Sequence, residues 1–415
     1  MTPAFGAPDS STLAFSYPKF RYFWVTTLCH GFAVQIMSVS VGWQIYDITR
    51  DPLYLGLVGL AQFLPALLLV LVTGLAADKF PRRRIMQICL AIELACAVAL
   101  FVFSGAQGRE VWPIFVVLVL LGTARAFANP AASSLAPNLV PPPALANAIS
   151  MNVSAWQLAS ILGPVAGGLL YGISGPVAYA TAAALLVAAV VSISFVRGPS
   201  QRVSEQATSL GTMLVGFRYI WHEKTVLGAI SLDLFAVLMG GAVALMPVFA
   251  RDILEVGPWG LGMLRAAPGI GAILTALLLV RFPIRDHAGA VLFVFVAGFG
   301  FFTLLFGLST SVWLSVPLLA SIGACDMVSV SIRETIMQLW TPDEVRGRVN
   351  AVNSVFIGAS NELGEFRAGM MAAFIGAQAA VALGGGATMV VAGIWSRAFP
   401  GLRRQRQINR KMVAG

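Results

Sequence analysis

Long apolar runs separated by short polar stretches organise this chain. They lie near residues 22–46, 53–77, 84–106, 112–133, 145–172, 175–196, 226–249, 258–280, 288–308, 312–336, 348–376 and 379–397. Each is long enough for the ~20 helical residues that cross the hydrocarbon core of a bilayer. The runs are continuous and long, whereas barrel strands alternate over ~10 residues, so helices are expected throughout. The longest connection, 197–225, begins polar (Gly198, Pro199, Ser200, Gln201, Arg202) and turns amphipathic around Leu210–Trp221. A helix lying on the membrane surface fits that pattern. The pattern predicts an all-α membrane protein of twelve spans: a six-helix half at 1–196, a linker at 197–225, a second half at 226–397 and a basic tail at 398–415.

Composition sharpens this picture. Of 415 residues, 58% are apolar and 11% charged, and the mean hydropathy is +0.83. A soluble domain carries about 45–50% apolar and about 25% charged residues. Water could not solvate this much apolar surface, so lipid is the expected solvent. No cleavable signal peptide is expected, because the first twenty residues are polar and the first apolar run is full length.

Charge sets the expected orientation. The N-terminus, alternate loops and C-terminal tail hold twenty of the 27 lysines and arginines, among them Lys79, Arg82, Arg83, Arg84, Arg346, Arg348, Arg403 and Arg404. The opposite loops hold three, Arg50, Arg109 and Arg251. Positive loops stay cytoplasmic, which puts both termini inside and makes the span count even. The net charge of +9 is spread over many loops, so it reads as topology and not as a nucleic-acid surface.

The halves repeat one another. Residues 139–168 align with 339–368 at a constant offset, pairing Pro142 with Pro342, Ser154 with Ser354, Ala159 with Ala359 and Ser160 with Ser360. A second stretch pairs Gly59 with Gly262 and Pro65 with Pro268, which sets Gln62 opposite Arg265. With one gap, Arg125 in the fourth span falls opposite Asp326 in the tenth. Weak internal symmetry of this kind is common in secondary transporters.

Other functions leave no trace. The four lysines, Lys19, Lys79, Lys224 and Lys411, never follow glycine, so no phosphate-binding Gly-Lys loop exists. No His-Glu-x-x-His occurs, and His30, His222 and His287 are too scattered for a metal site. Cys29, Cys89, Cys96 and Cys325 fall in apolar runs as packing residues. No cofactor is implied.

Between the second and third spans stands Gly74-Leu75-Ala76-Ala77-Asp78-Lys79-Phe80-Pro81-Arg82-Arg83-Arg84. A topogenic loop accounts for the arginines but not for Gly74 and Asp78. Gly74 permits close helix approach, Asp78 can accept hydrogen bonds from a helix N-terminus, and Arg82 and Arg83 can bind carboxylates or headgroups. The fifth span carries Ala159-x-x-x-Gly163-Pro164-x-x-Gly167-Gly168, whose small residues permit tight packing and whose proline weakens the helix. A further loop reads Thr341-Pro342-Asp343-Glu344-Val345-Arg346-Gly347-Arg348. Over nearly the whole chain these motifs resemble the major facilitator superfamily, in particular the bacterial branch of the enterobactin exporter and the transmembrane secretion effectors. Ala76 and Pro81 depart from the loop signature, where leucine and a second glycine are usual. The arginine that many proton-coupled members carry in the fourth span would fall near Val117, with Arg125 about two turns deeper.

The resemblance implies two pseudo-symmetric six-helix bundles around a central cavity and secondary export of a small amphiphilic or apolar solute, siderophore-like or drug-like, by alternating access. Uptake or passive exchange of a small metabolite is the other reading. It also implies residence in the bacterial inner membrane as a monomer. Arg125, Asp233 and Asp326 are its cavity candidates, because the first, fourth, seventh and tenth spans usually line the cavity. A charge inside a span costs at least ~2.5 kcal/mol, so each is a functional candidate by default. Glu93, Arg265, Glu362, Glu365 and Arg367 join them, with Gln35, Gln62, Met37, Trp43 and Met239 as ligand-facing types. Asp233 or Asp326 is the expected carrier of a coupling proton, since a buried carboxylate can release its proton when water reaches it. Arg333 and Glu334 are expected to brace the inner gate with Asp78, Arg346 and Arg348.

Overall fold

The computed structural model describes residues 13–106, 108, 110–196, 210–284 and 286–405; the side chains of residues 70, 71, 75, 77, 78, 210–215, 343 and 344 lie outside that description. Among the described residues the secondary structure is helical, without strands. Six long helices come first: α1 Pro18–Thr49, α2 Pro52–Lys79, α3 Arg82–Gly105, α4 Trp112–Leu135, α5 Leu145–Ile173 and α6 Gly175–Phe195. The amphipathic segment forms α7, Leu210–His222. Then follow α8 Lys224–Gly240, α9 Gly257–Arg281, α10 Ala288–Leu308, α11 Val312–Trp340, α12 Asp343–Ile375 and α13 Ala377–Ala398.

Eleven described helices are long and apolar enough to cross a membrane. The twelfth expected span, α12, has the length (33 residues) but carries Arg346, Arg348, Glu362, Glu365 and Arg367, and this polarity keeps it out of that set. The seventh expected run, 226–249, is not one continuous helix. It stops at Gly240, resumes as a 3-10 turn at Val243–Leu245 and ends in a π-helical turn at Phe249–Ile253.

The chain forms two compact units, Met1–Ser40 with Leu64–Ala207, and Val41–Phe63 with Thr208–Gly415. In the first, α3 packs against α4 and α6, and α5 against α6. The Gly163 ladder of α5 meets α1 directly. A Cβ at Gly163 would stand 2.6 Å from Gln35 Cβ, and one at Gly167 would stand 3.0 Å from Ile36 Cα. These glycines are required by close backbone approach. Two arginines of the first turn of α3 cap other helices in this unit: Arg82 Nη1 donates to Ser134 O (2.8 Å) and Arg83 Nη2 to Ser194 O (2.6 Å). They satisfy carbonyls that the ends of α4 and α6 leave without helical partners.

In the second unit α10 packs against α11 and α13, α9 against α11, and α8 against α12 and α13. The residue 41–63 segment joins it through Gly56, where a Cβ would lie 3.0 Å from Phe366 O. The surface helix α7 docks on α12. Its Tyr219 hydroxyl donates to Trp340 O at 2.5 Å, and Ile220 is buried with Val226, Met337 and Val349. Phe217 and Trp221 remain exposed and stacked, 6.0 Å between centroids.

Candidate functional site

A helix that stops inside a membrane leaves carbonyls without partners, and each must be satisfied by protein. Arg367 does this for α8. Its Nε donates to Leu238 O at 2.8 Å and its Nη2 donates to Met239 O. Gly364, one turn earlier on α12, leaves room for the break, since a Cβ there would lie 2.9 Å from Val237 O. Arg367 therefore has a structural partner. Met239, expected to face a ligand, contributes the carbonyl.

Below that break α8 carries Asp233, buried, with Arg333 of α11 as its ion partner: Arg333 Nη1 stands 2.5 Å from Asp233 Oδ2, and each side chain is 10% exposed. Arg333 Nε also donates to Ser329 O at 3.4 Å. Asp326 sits two turns before Arg333 on the same helix face and interacts electrostatically with both Arg333 and Asp233. A small crevice, with room for about one water molecule, is lined by Asp233, Asp326 and Ser329 with Ala236, Val237, Val296 and Phe299. Two carboxylates thus share one guanidinium beside an apolar wall. Arg333, read from sequence as a brace near the helix end, belongs to this group; Glu334 is half-buried on the same helix.

A second charged group of the same unit joins α9 and α12. Arg265 and Glu365 interact electrostatically. A Cβ at Gly59 of α2 would lie 2.7 Å from Glu362 Oε2 and 3.3 Å from Glu365 Oε2, so both carboxylates converge on one buried glycine. Gln62 lies three residues further along α2 in this unit.

In the first unit Glu93 is fully buried, with its Oε2 2.8 Å from His30 Nε2, and Arg125 acts on it electrostatically. Gln35 and Met37 are packed within α1: Gln35 fills the space over Gly163, and Met37 is buried.

Sequence reasoning missed two features. One is the role of His30, around which no metal spacing exists to single it out. The other is a cluster at the end of α1. Tyr46 donates to Asp252, Arg50 Nη1 lies 3.4 Å from Asp252 Oδ1, Arg251 pairs with Asp47, and the Arg251 guanidinium lies 5.4 Å over Trp43. Its signal was present, since Arg50 and Arg251 are two of the three arginines on the side poor in basic loops. The remaining gate candidates are more dispersed. Arg346 Nη2 donates to Thr341 O at 3.3 Å. The Arg348 carbonyl abuts Gly216, where a Cβ would lie 2.7 Å away. The reading of Asp78 as a hydrogen-bond acceptor falls on a side chain outside the described residues.

Apolar helices of membrane-spanning length, a helix broken and resealed within its span, and paired charges beside a crevice define a multi-pass membrane transporter. Residues 10–411 match the family model of the transmembrane secretion effectors, and the chain belongs to that family of the major facilitator superfamily. It is 26% identical over 354 residues to the multidrug efflux pump Tap of Mycolicibacterium fortuitum, covering 81% of this chain and 85% of that one. It is 25% identical over 412 residues to the enterobactin exporter EntS of Escherichia coli, covering 96% of each. Among solved structures, a bacterial homologue of the human lysosomal transporter Spinster superposes with a TM-score of 0.72 at 15% identity, over 96% of this chain and 97% of that one. The nucleoside transporter NupG superposes with a TM-score of 0.66 at 16% identity, over 92% of this chain and 98% of that one. At such identities these two likenesses concern the fold.

Proposed function

We propose that this chain exports a small amphiphilic or largely apolar solute, drug-like or siderophore-like, across the bacterial inner membrane by alternating access, with a proton as the coupling ion. The carrying observation is the crevice of the second unit, where Asp233 and Asp326 share Arg333 against Phe299 and aliphatic walls. Two carboxylates beside one guanidinium leave one negative charge uncompensated in a medium of low dielectric, and a proton is the natural neutraliser. The drug and siderophore efflux activities named for Tap and EntS support export as the direction. The charge asymmetry of the loops supports cytoplasmic termini. The expected organisation is two pseudo-symmetric halves, 1–196 and 226–397, in a monomer.

Two measurements test this reading. A deletion strain should become more sensitive to toxic amphiphiles and should accumulate its own siderophores; equal accumulation with and without the protein overturns export. In proteoliposomes, transport should lose its dependence on a pH gradient after Asp233→Asn or Asp326→Asn. Retained dependence in both variants and in the double variant removes these carboxylates from the coupling.

A further inference from the structure

We propose that His30 and Glu93 form a proton-binding site inside the first unit, in which the imidazole takes up and releases the proton and the carboxylate holds the charged imidazole. The site lies on other helices and in another unit than the Asp233–Arg333 crevice.

The two groups meet at ion-pair distance, without the alignment of a hydrogen bond. Glu93 is 0% exposed and His30 is 20% exposed, with 2.8 Å between Oε2 and Nε2. The carboxylate is sealed, while the imidazole is only partly enclosed. A sealed carboxylate has no solvation of its own and needs a cationic neighbour. Arg125 supplies one charge from α4, and a protonated His30 supplies a second. With Glu93 and Arg125 both charged, the three groups sum to zero while His30 is neutral. Proton uptake adds one positive charge inside a membrane span, and that charge is held by Glu93. An imidazole is the side chain whose charge ordinarily changes between pH 5 and 8.

The other groups facing the pair are few. Cys89 and Cys96 lie one turn to either side of Glu93 on α3 and both interact with it electrostatically. Cys29 precedes His30 on α1. Neither α5 nor α6 contains a charged residue; their titratable groups are Tyr171 and Tyr179, which interact with each other.

The location gives the proton mechanical consequence. A Cβ at Gly31, next to His30, would stand 2.8 Å from the Ala159 methyl, and the same helix meets α5 again at Gln35–Gly163 and Ile36–Gly167. Helix α1 therefore holds the proton pair and, along the same stretch, a close approach to α5. A change in hydration around His30 must be accommodated by a helix with no slack against α5.

The test is spectroscopic and independent of the direction of transport. His30 is one of three histidines; the other two lie in α7 (His222) and just before α10 (His287). In a His222→Gln, His287→Gln background, with 15N-labelled histidine and the full chain in lipid nanodiscs, the one imidazole is followed by NMR from pH 5 to 8. The expected result is passage between the neutral and charged imidazole signatures within that range. Glu93→Gln should lower the charged fraction at pH 6 by about threefold or more, as loss of an adjacent carboxylate requires. An imidazole that keeps one state from pH 5 to 8 overturns the proposal without any substitution at Glu93. An unchanged titration in a folded Glu93→Gln variant also overturns it.

Discussion

Arg333 of α11 reaches Asp233 of α8 at 2.5 Å, and the two side chains bury one another to 10% exposure each. This bond ties two helices of the second unit together beside its crevice. A pair so enclosed gains little over an apolar pair of the same shape, because desolvation offsets the attraction, but losing one partner strands a charge. Arg333→Met should destabilise the protein by about 3–5 kcal/mol. Arg333→Met with Asp233→Leu should recover most of that loss. Thermal unfolding in detergent compares the variants, and equal losses in the single and double variants would contradict the account.

The broken end of α8 depends on Arg367. Arg367→Met removes the donors to Leu238 O and Met239 O, and each buried carbonyl left unpaired costs about 1–3 kcal/mol. The effect should be local: hydrogen exchange at 238–246 should quicken while α10 stays protected. Arg367→Lys, with one compact ammonium in place of a fork, should rescue only in part.

Asp47 and Arg251 should matter more for transport than for stability. Asp47 is 47% exposed, and exposed ion pairs contribute about 0–1 kcal/mol. Asp47→Arg and Arg251→Asp, each bringing like charges together, should each slow efflux of a lipophilic cationic dye from everted vesicles several-fold. The double reversal should recover most of the rate. A double variant slower than both singles would show that the pair does not act as a unit.

The docking of α7 should be insensitive to pH until strongly alkaline conditions. Burial pushes the Tyr219 phenol up, and the nearby Glu223 charge pushes it further the same way. A phenol raised in the fold contributes stability that is complete below its unfolded value of about 10 and is lost as pH rises through the folded one. Protease resistance of α7 should therefore hold through about pH 9. Tyr219→Phe, which removes the donor to Trp340 O, should weaken docking by about 1 kcal/mol and remove the alkaline transition.

Helices could be placed from sequence to within a few residues where an apolar run is bounded by polar residues, as for α4, α6 and α10. Each boundary there reflects a local balance of transfer energies. The break after Gly240 escaped that reading because its residues are as apolar as a continuous helix; it exists because Gly364 leaves room and Arg367 caps the carbonyls from another helix. Asp233 and Asp326 were recognisable as costly charges, but their common partner Arg333 was not. His30 and Glu93 were each visible, and nothing in the spacing joined them.

Twelve helix-length runs, the asymmetry of basic loops, the internal repeat and the membership signalled by the Gly74–Arg84 loop all belong to the sequence alone. They depend on sums over neighbouring residues, on apolar area and on charge per loop. The tertiary structure decided which charges meet. His30 joins Glu93, Asp233 joins Arg333, Arg367 serves α8, and residues 41–63 pack with the second unit. Those choices rest on how each helix is rotated and how closely its neighbours approach, and contacts between residues far apart in the chain set both.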